Sequence, residues 1–488
     1  MDTVALHRLQ NYAGGVWRDS QSEKVKEIYD PGRGVVIGSV PFSLEEEVDE
    51  AVEAAAVAFE GWRNKPLSER IRYLFRMRRM FEDHFEEFAR VNTLNHGKTL
   101  EESRGDITRA LENVDMAIAA AQTLGKGENL DQISDGIDEF TSKEPLGVFA
   151  IVSPFNFPVM IPFWFLPYAI VLGNTVVVKP SEITPLPMEY VAKMIDREVG
   201  LPAGVFNLIH GGREVVEYLI RNKDVVGVTF VGSTQAAHNV YRLAGEHGKR
   251  VIAQGGAKNC IVVMPDADLD RYMPSIVSSF FGNAGQRCLA GSNLVLVGDR
   301  EGRTKRKFIT SVSSLRLGHG LDPDTDMGPL VSLEAKKRVK SLIALGIEEG
   351  ADLILDGREA SVEKYPDGFF LGPTVFESVS KDMSISKTEI FGPVASIMEF
   401  NTLDEALDMV NNGSDYGNMA CIFTSNGGVA REFRRRANAG NIGINIGVAA
   451  PAAYFPFAGR KKSFYGVLHA QADTIDFFTD RKVVISRW

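Results

Sequence analysis

Residues 147–179 read GVFAIVSPFNFPVMIPFWFLPYAIVLGNTVVVK, and their reading decides the fold. Two short runs, 147–153 and 175–179, are apolar and rich in β-branched residues, as strands covered on both faces are. Between them, residues 161–172 suit a buried helix, and Gly173-Asn174 marks a turn. The run 159–178 is apolar for about the length a bilayer needs. Pro162, Pro167, Gly173 and Asn174 interrupt it, so it reads as helix, turn and strand and no membrane span is expected.

Working outward, the same alternation continues. Strands are expected at 205–209 and 226–231, with helices at 187–199, 214–221 and 235–246. This βαβα order predicts a parallel sheet covered by helices. A second series starts near 259–263 and runs at least to 423. The expected fold class is therefore α/β, two tandem open α/β domains, with an active site in the cleft between them. Upstream lie helical patterns. Ser43 with Glu46 reads as a capping box for 44–62, Ser68 as the cap of a run to about 91, and 100–122 as a third helix closed by Gly125. Residues 131–143 suit a hairpin, and 473–488 are β-prone. Projecting strands need an edge partner, so a homo-oligomer, dimer or tetramer, is expected.

Composition narrows the function. The chain has 488 residues and a net charge of −10, which argues against a nucleic-acid-binding surface. The three cysteines, Cys260, Cys288 and Cys421, have no metal-ligand spacing and make no disulfide framework. No metal is expected. The N-terminus shows no secretory leader, and with the cysteine usage the expected compartment is the cytoplasm.

Chemistry is concentrated in a few motifs. In Phe281-Gly282-Asn283-Ala284-Gly285-Gln286-Arg287-Cys288, small residues allow close approach to a thiol, and Arg287 favours the thiolate. Ser153-Pro154-Phe155-Asn156 follows a strand end, and Asn156 supplies an amide donor for an oxyanion. Lys179 and Glu182 follow another strand end, where acidic and basic groups meet a nucleotide ribose. Gly232-Ser233-Thr234 passes from strand into helix, a turn suited to pyrophosphate, though without a GxGxxG pattern. Late in the chain stands Thr388-Glu389-Ile390-Phe391-Gly392-Pro393.

These motifs, in this order and spacing, resemble the aldehyde dehydrogenase superfamily over nearly the whole chain. The resemblance implies Cys288 as nucleophile and Asn156 as oxyanion donor. It implies Lys179, Glu182, Gly232 and Ser233 on the adenosine and phosphate side of NAD, and Phe155, Glu389 and Phe391 toward the nicotinamide. It assigns 1–122 and 144–252 to an NAD-binding domain and 253–462 to a catalytic domain. Residues 123–143 and 463–488 become oligomerisation strands. One departure is informative. The superfamily usually has Glu-Leu-Gly-Gly-Lys ahead of the nucleophile, and here the stretch is Gln254-Gly255-Gly256-Ala257-Lys258. A neutral amide is no general base at pH 7, so water attack on the thioester should be slow. That loss resembles the methylmalonate-semialdehyde dehydrogenase branch, whose members pass the acyl group to coenzyme A. In that branch Arg109 and Arg287 would clamp a substrate carboxylate. The alternative is a hydrolytic enzyme with a relocated base, releasing a free acid.

Overall fold

The computed structural model describes residues 7–488. Two sheets follow one another along the chain. The first has eight strands in the spatial order Phe464–Tyr465, Arg250–Gln254, Val225–Val231, Val148–Val152, Thr175–Lys179, Phe206–Leu208, Asn11–Ala13 and Val16–Arg18. Its five central strands, from Arg250–Gln254 to Phe206–Leu208, are parallel. Val148–Val152 and Thr175–Lys179 are buried along their whole length, which is why both read as unbroken apolar runs. The second sheet orders Asp352–Leu355, Thr374–Glu377, Val394–Phe400, Gly291–Val297, Asn259–Val263, Met419–Phe423 and Asn441–Ile444, parallel except at its first strand.

Strand order in the first sheet positions the site. From Val148–Val152 the chain steps outward to Thr175–Lys179 and Phe206–Leu208. It then crosses back to place Val225–Val231 on the other side of Val148–Val152. Successive helices therefore diverge between these two strands and leave a crevice at their carboxyl ends. Residues 153–156 and 232–233 line that crevice. The outer strand Arg250–Gln254 then runs through Gly255-Gly256-Ala257-Lys258 directly into Asn259–Val263 of the second sheet. The crevice thus faces the amino ends of the second sheet.

A third sheet pairs the hairpin Asn129–Ser134 and Ile137–Pro145 with the C-terminal strand Thr479–Arg487. The C-terminal strand pairs along one edge with the chain's own hairpin, in register from Thr479 opposite Pro145 to Arg487 opposite Ile137, and lies at the margin of that sheet. Arg250 anchors this sheet by donating from Nη1 to the carbonyls of Asp476, Phe477 and Thr479 at 3.0–3.1 Å.

Other boundaries also differ from expectation. Ser43 does not cap the first helix, because its hydroxyl is buried against the Asn11 side chain. The helix Glu45–Arg63 is capped instead by Glu47, whose carboxylate accepts from Leu44 N at 2.8 Å. The second run breaks at His84 into Leu67–Asp83 and Phe85–His96. Pro162 and Pro167 split the expected helix 161–172 into Met160–Phe163 and Leu166–Leu172. The strands Asn11–Ala13, Val16–Arg18, Val25–Asp30 and Val35–Pro41 precede any helix, where only helical patterns were read. Among the described residues, no helix is long and apolar enough to cross a membrane.

Candidate active site

A cavity of about 570 Å³ opens between the two sheets. Phe155, Asn156, Lys179, Glu182, Gly232, Ser233, Cys288, Glu389 and Phe391 all line it. The sequence motifs, separated by as many as 236 positions, are therefore brought to one place.

The cysteine is presented by an unusual turn. After the helix Leu269–Phe281, three consecutive residues take left-handed backbone conformations: Asn283 at φ 55°, Ala284 at 50° and Gly285 at 71°. For the two that are not glycine this costs about 1 kcal/mol or more each. Hydrogen bonds to the turn offset it. Asn283 N donates to Glu102 Oε1 at 2.5 Å, and Gln286 N to Asn283 O at 2.9 Å. The Gln286 side chain ties the turn to Val331 N at 3.0 Å. Hydrogen bonds to charged groups contribute about 1.5–3 kcal/mol each, so the Glu102 contact alone is comparable to the strain. Gly285 permits a close approach: a Cβ there would lie 2.1 Å from Gly392 O.

Cys288 follows, half-buried, with its carbonyl accepting from Asn259 Nδ2 and Asn418 Nδ2, both at 2.9 Å. Burial, with the Glu389 carboxylate second, pushes its thiol up to about 12. Asn156 is buried nearby. Its Nδ2 donates to Gln286 O at 3.0 Å, two residues before the cysteine. Its own carbonyl accepts from Lys98 Nζ at 2.7 Å. Lys98 also pairs with Asp106 at 3.0 Å, and neither side chain is exposed. An ion pair so buried persists only if its remaining valences are satisfied. Asp106 meets that condition by accepting from Met160 N at 2.7 Å and Asn92 Nδ2 at 2.9 Å. The pair thereby holds the loop that carries Asn156 at Asn156 itself and at Met160, where the next helix starts.

The opposite wall is suited to a dinucleotide. Lys179 Nζ sits 3.3 Å from Glu182 Oε2 at the mouth of a buried strand. Ser233 is the N-cap of Thr234–Glu246, accepting from Ala236 N at 3.4 Å, so that helix directs its amino end at the cavity. Space over Gly232 is tight, since a Cβ would fall 2.6 Å from the Phe230 ring. At the inner end Phe155 and Phe391 meet edge to face at 5.7 Å, with Phe391 held at φ 54°. Glu389 lies over Gly256, where a Cβ would be 2.2 Å from Oε2, and its Oε1 accepts from Ala257 N at 2.8 Å. Burial raises its carboxyl to about 7.

Gln254 is buried, and its amide is turned away to donate to Phe457 O at 3.4 Å. The cavity lining at that point comes from Gly255 and Gly256.

The two arginines are not brought onto a common point in the cavity. Arg109 Nη1 donates to Glu112 Oε2 at 2.7 Å, and Arg287 Nη2 to Glu102 Oε1 at 2.9 Å. Neither lines the 570 Å³ cavity. Each has a glutamate of the helix Leu100–Thr123 within reach, so the expected clamp is not preformed. Lys98, Glu102, Asp106, Asn259 and Asn418 were not singled out in the sequence as site residues. Only Glu102 carried a local signal, the Thr99-x-x-Glu102 capping box, which is observed.

Comparison with known proteins identifies relatives over nearly the whole chain. The model of the aldehyde dehydrogenase family matches residues 17–484. Malonate-semialdehyde dehydrogenase 2 of Geobacillus kaustophilus is 44% identical over the full length of both chains. Malonate-semialdehyde dehydrogenase of Halalkalibacterium halodurans is 43% identical, covering 99% of this chain and 98% of its own. Among solved structures, a putative methylmalonate-semialdehyde dehydrogenase from Sinorhizobium meliloti, complexed with NAD, superposes with TM-score 0.96 at 38% identity, covering 99% and 98% of the two chains. Methylmalonate-semialdehyde dehydrogenase from Oceanimonas doudoroffii gives TM-score 0.96 at 37% identity and 99% coverage of each.

Proposed function

The chain belongs to the aldehyde dehydrogenase family, and from that premise we propose that it oxidises malonate or methylmalonate semialdehyde with NAD and passes the acyl group from Cys288 to coenzyme A. The products are acetyl-CoA or propionyl-CoA, with loss of CO2. The names of the relatives support the substrate class, and the NAD-complexed neighbour supports the cofactor.

The observation that carries the acyl acceptor is Gln254. At the position where the family's water-activating glutamate would stand, this chain holds a buried amide bonded to Phe457 O. An amide takes no proton from water at pH 7.

The residues then divide the work. Cys288, as thiolate, adds to the aldehyde carbon, and the Asn156 amide, which lines the same cavity, would donate to the charge that develops on oxygen. NAD, when bound, accepts the hydride, and a thioester remains on the cysteine. Lys179 and Glu182 would hold the adenosine ribose, and Gly232 and Ser233 the pyrophosphate. Phe155, Glu389 and Phe391 would flank the nicotinamide ribose and ring. Arg287 would read the substrate carboxylate with the donors Glu102 leaves free, and Arg109 by exchanging Glu112 for it. Loss of CO2 leaves an electron pair on the α-carbon, which takes a proton. The thiolate of coenzyme A then displaces Cys288.

A second reading rests on Glu389, a carboxyl of about 7 in the same cavity. If it activated water, the product would be a free acid. Product analysis decides: each aldehyde is incubated with NAD, with and without coenzyme A. Acyl-CoA as product, with slow turnover when coenzyme A is omitted, supports the transfer. Free acid at full rate without coenzyme A contradicts it.

We also infer that the enzyme works in the cytoplasm as a homo-oligomer, dimer or tetramer. The C-terminal strand supports assembly, because Val483 and Ile485 are exposed on one of its faces.

A further inference from the structure

Glu102 joins three parts of the molecule. Its Oε2 accepts from Thr99 N at 3.0 Å, which closes the capping box of its own helix. Its Oε1 accepts from Asn283 N in the left-handed turn and from Arg287 Nη2. Both side chains of the Glu102–Arg287 pair are largely buried, at 16% and 17% exposure. With both oxygens anchored, the carboxylate has little freedom, and so it restrains the end of the guanidinium it holds. Arg287 packs over Gly282, where a Cβ would lie 2.5 Å from Nη1. A guanidinium offers five donors in a planar fork, and Glu102 takes one of them.

The neighbouring groups on the same helix agree with this role. Glu102, Asp106, Arg109 and Asn113 stand at helical spacing on one face. Asp106 is bonded to Met160 N, which places that face along the loop carrying Asn156. Arg109 stands roughly 10 Å further along the axis than Glu102. One helix face therefore presents, in order, the residue that orients Arg287, the residue that supports the Asn156 loop, and a second arginine.

We propose that Glu102 is a positioning residue that sets the preference for carboxylated aldehydes, by holding Arg287 with the rest of its fork available to the substrate carboxylate. The inference rests on the reading of Arg287 given above. It differs from a structural role in its signature, because it acts on one substrate class.

The test compares kcat/KM for malonate semialdehyde and for propionaldehyde, which lacks the carboxylate, in the wild type and in E102A, E102Q and R287M. In E102A the ratio of the two falls about tenfold, through a higher KM for the carboxylated aldehyde on top of the kcat loss that both substrates share through the turn. In E102Q the amide oxygen still accepts from Arg287 and Asn283, so the ratio stays within about threefold of wild type. Equal loss on both substrates in E102A, or no change in the ratio, overturns the proposal. R287M separates the two claims. A ratio that survives in R287M removes Arg287 as carboxylate reader. A ratio that collapses in R287M but stands in E102A leaves that reading intact and refutes the role of Glu102 alone.

Discussion

The two walls of the cleft are built by different means. On the cofactor side, Lys179 ends a regular parallel strand, Asn156 and Ser233 follow the ends of two others, and a helix start faces the cavity. On the nucleophile side, a turn of three left-handed residues and the left-handed Phe391 replace regular structure. That turn and the cysteine are held by side chains from distant segments: Glu102, Asn156, Asn259 and Asn418. Where position comes from a sheet, a side chain can be removed without moving its neighbours. Where it comes from a network, one deletion propagates. Losses on the nucleophile wall should therefore appear in kcat, and losses on the cofactor wall in KM for NAD.

The sharpest break of this contrast would come at Asn156, which belongs to both walls. Asn156→Ala removes the oxyanion donor and a bond to the turn, so kcat for the acylation step falls about 10²–10³-fold. KM for NAD stays near wild type. Single-turnover NADH formation measures this, and a loss confined to KM would place Asn156 with the cofactor.

Next in size is the titration of Cys288 without ligands. Burial raises its thiol to about 12, so below that pH the thiolate fraction grows tenfold per unit. Alkylation by iodoacetamide should speed up about a hundredfold between pH 7 and 9, with no plateau. A plateau near neutral pH would mean the nucleophile wall already stabilises the thiolate.

The smallest effect belongs to the cofactor wall. Glu182→Ala removes the charged acceptor beside Lys179 and raises KM for NAD about tenfold, with kcat within about twofold. A fall in kcat at constant KM would erase the distinction between the walls.

The same difference explains what could be read in the sequence. Strand Thr175–Lys179 was found to the residue, and Val148–Val152 and Val225–Val231 within one residue at each end, because burial on both faces writes an apolar run into the chain. The motifs at those strand ends could be placed with them. Lys98, Asn259 and Asn418 act through contacts with residues 29 to 130 positions away, and nothing local marks them. The split at His84 was likewise missed, since apolar spacing continues across it. The C-terminal strand was legible as a strand, but its partner was not. A strand has two edges: the hairpin Ile137–Pro145 takes one, and the other is unpaired within the chain. The arginine pair shows the limit from the other direction: residue type was right for a carboxylate, yet each guanidinium is engaged by a nearer glutamate.

The central claim is a thioester on Cys288 that water leaves alone and coenzyme A removes. Enzyme mixed with semialdehyde and NAD, quenched in acid and digested, should yield the peptide containing Cys288 with an acyl group attached. The adduct should persist while coenzyme A is absent and vanish within a turnover of its addition. An unmodified Cys288 peptide beside a full equivalent of NADH, or an adduct lost equally fast in buffer alone, would contradict the account.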